Sequence, residues 1–117
     1  MTTLDSKLQL KQGQRVVVFG LPAGLSLDLP INSGPPAGDE AVLVFAQESG
    51  ALSERKAALL DAAAAGRLTW VAYPKAGGLG TDLNRDILRD RLVEWGTRPV
   101  RQVALNDDWS ALRVKAG

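Results

Sequence analysis

The sequence contains no cysteine and no histidine among its 117 residues, and these two absences exclude several kinds of site. Without cysteine there is no disulfide, no thiolate nucleophile and no cysteine-ligated zinc or iron–sulfur centre. Without histidine there is no imidazole base, no Ser-His-Asp triad and no histidine metal ligand. We therefore predict no catalytic residue, no metal and no cofactor, and the residue types that are present favour a protein that is not an enzyme.

The chain also lacks a strong excess of charge and a long apolar segment. Its 14 basic and 13 acidic residues give a net charge of +1, and the two signs are interleaved, which makes nucleic acid the least favoured partner. The longest apolar run, residues 41–46, is far shorter than the roughly 18 residues that span a bilayer. No apolar stretch typical of a signal peptide follows Met1. These features predict one domain over residues 1–117, located in the cytoplasm and without a membrane partner.

What is present is an alternation of apolar strands and amphipathic helices. Apolar runs at residues 15–19, 41–46 and 68–73 predict buried strands. Helices are predicted from Ser49 to Gly66 and from Thr81 to Trp95, and residues 100–114 read as a β-hairpin. Residues 21–29 fit either an edge strand or a short helix. This order predicts a layered α/β domain, Rossmann-like but shortened, with a mainly parallel sheet of about five strands, helices on its faces and a C-terminal antiparallel hairpin.

Two segments carry a resemblance to a known family. Leu-Thr-Trp-Val-Ala-Tyr-Pro-Lys at residues 68–75 with Thr-Asp-Leu-Asn-Arg-Asp at residues 81–86, and Asp-Asp-Trp-Ser-Ala-Leu-Arg at residues 107–113, resemble a signature of small bacterial proteins of unknown function. Pro22 and Gly24 also fit that pattern. The chain departs from it at residues 76–80, which are Ala-Gly-Gly-Leu-Gly where the family has serines and lysines. This resemblance implies no particular activity.

The order of elements also resembles the C-terminal half of class I S-adenosylmethionine methyltransferases. The strand at residues 15–19 then stands where that fold has its cofactor-binding strand, but the glycine-rich loop is reduced to Gly20 and Gly24. Few residues separate this strand from Ala41, which leaves little room for the ribose-binding strand. The resemblance therefore implies a shortened relative that does not transfer methyl groups.

Two groups of residues are candidates for function. The first lies after predicted strands and at a helix start, where an anion can bind, and consists of Gly20, Gly24, Tyr73, Lys75, Thr81 and Arg85. The second lies at the hairpin turn, where it can contact a partner, and consists of Asp107, Asp108, Trp109, Ser110 and Arg113. Both groups also have structural explanations, since threonine caps helices, aspartate suits turns and tryptophan fills cores.

These features predict a non-catalytic binding or interaction module of a bacterium. The alternative is a degenerate methyltransferase-like protein that binds S-adenosylmethionine, a nucleotide or another small anionic molecule. Because Trp109 adjoins the hairpin turn, a homodimer through the hairpin is a further prediction.

Overall fold

A mixed sheet forms the centre of the computed structural model, which describes residues 8–10, 14–20, 31–32, 38, 40–74, 85–105 and 109–116. Its strands are β1 (Val16–Phe19), β2 (Ile31–Asn32), β3 (Ala41–Phe45), β4 (Thr69–Pro74), β5 (Thr97–Ala104) and β6 (Trp109–Ala116). The helices are α1 (Ser49–Glu54), α2 (Lys56–Ala64) and α3 (Arg85–Glu94). The three predicted strands and the predicted C-terminal hairpin are present, and β3 and β4 are buried throughout, whereas β1 is buried only at Val16 and Val17.

The strands follow the order β2-β1-β3-β4-β6-β5 across the sheet, and the directions in which they pair show that the sheet is not mainly parallel. Because β2 has only two residues, the sheet rests on five longer strands, which form two parallel pairs, β1–β3 and β3–β4, and two antiparallel pairs, β4–β6 and β5–β6. The prediction of a mainly parallel, Rossmann-like sheet is therefore wrong. The reason is that β6 returns from the hairpin and inserts between β4 and β5, where it forms the longest ladders of the described sheet.

The helices cover one face of the sheet, so the prediction of helices on both faces is also wrong for the described residues. Leu52 of α1, Leu59 of α2 and Leu88 of α3 all belong to one core cluster with Val44 and Val71. From β3 to β4 and from β4 to β5 the chain advances in the same direction across the sheet. Since such crossovers are right-handed, both connections place their helices on the same face.

The opposite face carries the two buried tryptophans of the described core. Phe45, Trp70 and Trp109 are buried there with Leu43 and Leu8. The Trp70 indole Nε1 donates a hydrogen bond of 3.0 Å to the carbonyl oxygen of Leu8, which fixes the N-terminal segment against this face. Within the described part of the chain, residues 8–10 pack on this face, and no helix does.

The helix predicted from Ser49 to Gly66 is divided in two. Arg55 adopts φ −100° and ψ 8° between α1 and α2, and the N-cap of α1 is Glu48 instead of Ser49. Serine and glycine are weak helix formers, which explains why α1, with Ser49, Gly50 and Ser53, stays short. The predicted C-terminal glycine is confirmed: Gly66 has φ +76°, which suits glycine in the left-handed region.

A cation–π contact links the start of α2 to the residue after α3. Lys56 Nζ lies 5.0 Å from the centroid of the Trp95 ring. We expect Lys56→Gln to lower the free energy of unfolding by about 0.5–1 kcal/mol, because the ring loses its cation. Lys56→Arg, which keeps the cation, should stay close to the wild type in urea unfolding. Equal losses in both variants would contradict an electrostatic contribution from this contact.

Candidate functional site

A cleft opens where the carboxyl ends of β1 and β3 meet. Its volume is about 250 Å³, and its walls include Gly20 after β1, Phe45 and Gln47 at the end of β3, Arg55 between the helices and Trp109 at the start of β6. Ligands of open α/β sheets bind outside the carboxyl ends of parallel strands. The cleft is therefore at the edge where the sequence predicted a site, although most of its walls are different residues.

Gly20 and the side chain of Arg55 lie close together in this cleft. Gly20 has φ +75°, and a Cβ built on it would lie 2.5 Å from Nε and 2.6 Å from Cζ of Arg55. The guanidinium thus occupies the space that any other side chain at position 20 would need. A left-handed φ and a close neighbour are two independent reasons for glycine at this position.

Within the described part of the chain, the Arg55 guanidinium makes one hydrogen bond. Its Nη1 donates to the carbonyl oxygen of Ala51 at 3.2 Å, one helical turn earlier. Among the described residues, no carboxylate forms an ion pair with Arg55, although Glu48 lines the same cleft. A guanidinium has five N–H donors in a fixed planar arrangement that matches a carboxylate or a phosphate. Arg55 is therefore the group in this cleft best suited to hold an anion.

The apolar wall of the cleft consists of two packed aromatic rings. The centroids of Phe45 and Trp109 are 5.2 Å apart, and the ring planes meet at 73°, an edge-to-face arrangement. Trp109 is only 5% exposed, so its ring does not offer the open partner surface that its sequence position suggested. The rings instead give the cleft a rigid side against which an apolar part of a ligand can lie.

The sequence-predicted ligand residues are only partly brought together. Gly20 lines the cleft, Tyr73 is buried in the core under the helices, and the backbone of Arg85 begins α3. Gly24, Lys75 and Thr81 lie outside the described residues. Sequence reasoning missed Arg55, Phe45 and Gln47. Gly20 was predicted as a remnant of a glycine-rich loop, but nothing in the pattern around Arg55 marked that residue as its neighbour.

The predicted interaction residues of the hairpin separate along β6. Trp109 and Ser110 are buried and pair with Pro74 and Tyr73 at the carboxyl end of β4. Asp107 and Asp108 lie outside the described residues.

Arg113 lies opposite Trp70, near the amino end of β4, and its Nη1 donates to Gln9 Oε1 at 2.6 Å. A second cleft of about 320 Å³ opens there, with Gln14 and Arg67 also in its walls. The described hairpin candidates, Trp109, Ser110 and Arg113, therefore do not form one surface.

Comparison with known proteins gives no relative from which a function could be inferred. No protein-family model matches the chain, and neither the curated proteins nor the solved structures include a significant match. The resemblances to the small bacterial family and to methyltransferases stay predictions. No helix in the described part of the chain is long and apolar enough to cross a membrane.

Proposed function

We propose that the protein is a binding module that holds a small anionic molecule at the carboxyl ends of β1 and β3, without a catalytic step of its own. The observation that carries this proposal is the Arg55 guanidinium against Gly20, with one hydrogen bond to Ala51 and no ion pair among the described residues. Hydrogen bonds from a guanidinium to an anion are roughly twice as strong as neutral ones.

The remaining walls restrict the kind of anion. Glu48 places a carboxylate in the same cleft, which disfavours a ligand with several negative charges and favours one that also carries an amino or hydroxyl group. Phe45 and Trp109 add an apolar side. A volume of about 250 Å³ lies just below the range of about 300–1,000 Å³ typical of drug-sized ligands. The best fit is a metabolite with one carboxylate or phosphate and one hydrogen-bond donor.

S-adenosylmethionine is the second ligand that this chemistry supports. Its methionine end carries a carboxylate for Arg55 and an ammonium group for Glu48, which lines the same cleft. Binding without methyl transfer would match the reduced glycine loop. Bacterial origin, a cytoplasmic location and a homodimer stay predictions.

Calorimetry with S-adenosylmethionine, adenosine monophosphate and a set of amino acids tests the proposal. For a ligand that binds the wild type, Arg55→Gln should weaken the affinity by about 10- to 100-fold, because a charge-assisted hydrogen bond is worth about 1.5–3 kcal/mol. Arg55→Lys, which keeps the charge but not the planar donors, should give an intermediate loss.

Arg91 provides the matched control, since it is an exposed arginine on α3 and does not line the cleft. Arg91→Gln should leave the affinity unchanged. Equal losses for the Arg55 and Arg91 variants would show that only the overall charge matters, and absence of binding by every ligand would contradict the proposal.

A further inference from the structure

Four cations lie on one face of the C-terminal hairpin, and the strand register places them there. Arg98 is paired with Lys115, and Arg101 is paired with Arg113. Residues directly opposite each other in an antiparallel pair share a face, as do residues two apart on one strand. Arg113 and Lys115 therefore lie on the same face, together with their partners on β5. We name this group the basic quartet: Arg98, Arg101, Arg113 and Lys115.

A β-bulge is what allows the basic quartet to form. Arg98 and Arg101 are three residues apart, and in a regular strand this odd spacing would place them on opposite faces. The register shifts between Pro99 and Arg101, so Val100 is the extra residue, and Arg101 moves to the face of Arg98. Bulges are often found where a side chain is redirected toward a site.

Three cations of the basic quartet are open to solvent, and the described hairpin carries no compensating acid. Leu112 and Val114 pack into the core under the helices, so Arg113 and Lys115 point to the opposite side of the sheet. Arg98, Arg101 and Lys115 are exposed and Arg113 is half-buried. The described residues of the hairpin, 97–105 and 109–116, contain neither aspartate nor glutamate.

This arrangement is unfavourable for the protein by itself. Like charges directly opposite each other destabilise a sheet, and here two such pairs are neighbours. Arg113 Nε is in addition a buried donor without an acceptor among the described residues. A bound anion would remove the repulsion between these side chains.

We infer that the basic quartet binds a compact anion made of linked phosphates, such as a triphosphate group. Neighbouring strands are about 4.8 Å apart and alternate residues on one strand about 6.8 Å apart, so the four Cα atoms surround a small area. Several charges must therefore be concentrated in the ligand, as they are in linked phosphates. A nucleic-acid strand fits less well, because Trp109, the aromatic residue of the described hairpin, is buried and offers no surface for stacking bases.

The test measures the affinity of the whole chain for inorganic triphosphate, adenosine triphosphate, inorganic phosphate and a single-stranded oligonucleotide at matched ionic strength. The double variant Arg101→Gln/Lys115→Gln should bind both triphosphates at least 10-fold more weakly, and its unfolding temperature without ligand should equal or exceed that of the wild type. Equal affinity for the two triphosphates shows that the phosphate chain alone is recognised. If adenosine triphosphate binds more tightly than inorganic triphosphate, the protein also contacts the nucleoside.

Two further variants separate this inference from the proposed cleft. Arg89→Gln, which removes an exposed charge on α3, should leave triphosphate affinity unchanged, and so should Arg55→Gln. Loss of triphosphate binding in Arg55→Gln would place the anion in the cleft and overturn the inference. Unchanged binding in the double variant, or no binding by the wild type, would overturn the inference. The basic quartet would then serve only to keep the edge strand β5 from pairing with another chain. An oligonucleotide that binds more tightly than either triphosphate would overturn it in favour of nucleic acid.

Discussion

Replacing Trp70 with alanine should lower the free energy of unfolding by about 3–5 kcal/mol, the range expected for removing a fully buried aromatic side chain. Trp70 is 0% exposed and lies among the aromatic residues on the sheet face without a described helix. Its loss would leave a large cavity and also leave the carbonyl oxygen of Leu8 without its indole donor. Urea unfolding measures the effect as a shift of the midpoint at an unchanged slope.

Trp70→Phe separates packing from the hydrogen bond. Phenylalanine keeps an aromatic ring at this position but cannot donate to Leu8, so we expect an intermediate loss of about 1–3 kcal/mol. The bond joins residues that are 62 positions apart, so its loss should also increase proteolysis near the N-terminus. If Trp70→Phe were as stable and as resistant to proteolysis as the wild type, the indole bond would not hold that segment.

Gly20→Ala should impair both stability and ligand binding. An L-residue at φ +75° costs about 1–2 kcal/mol. The new Cβ would also lie 2.5 Å from Arg55 Nε, and the flexible end of that arginine would move away. Since Arg55 is the proposed anion ligand, affinity in the cleft should fall by an amount similar to that of Arg55→Gln, about 10-fold or more.

Gly66→Ala is a matched control for the backbone strain. Gly66 has φ +76°, and a Cβ built on it would meet no atom within 4 Å. The two alanine variants should therefore lose similar amounts of stability in urea, while only Gly20→Ala should lose affinity. In the double variant Gly20→Ala/Arg55→Ala the second substitution should weaken binding little further. Additive losses of affinity would show that Gly20 acts on the cleft by another route.

The positions of the strands were predictable because burial on both faces leaves a mark in the local sequence. Residues 41–46 are a continuous apolar run and residues 68–73 are interrupted only by Thr69, and both contain a buried strand. The pairing of those strands leaves no such mark. An apolar run reads the same whether its neighbour is parallel or antiparallel, and for this reason the insertion of β6 beside β4 could not be anticipated.

In the candidate site, too, one residue could be predicted from the sequence and another could not. Gly20 could be selected from the sequence, because it directly follows a predicted strand, where ligands of α/β sheets bind. Arg55 could not be selected, because it is one of several charged residues on a helix, and only the interruption between α1 and α2 places it against Gly20.

The sequence by itself determined which chemistry is absent, since no fold can supply a thiolate or an imidazole from a chain without cysteine and histidine. It also determined where the buried strands lie. Only the tertiary structure decided which side of the sheet each charge occupies: Arg98, Arg101, Arg113 and Lys115, which are unevenly spaced along the chain, come to share one face. The physical reason is that pairing register and a single bulge determine which side of a sheet each residue occupies, and neither is encoded locally.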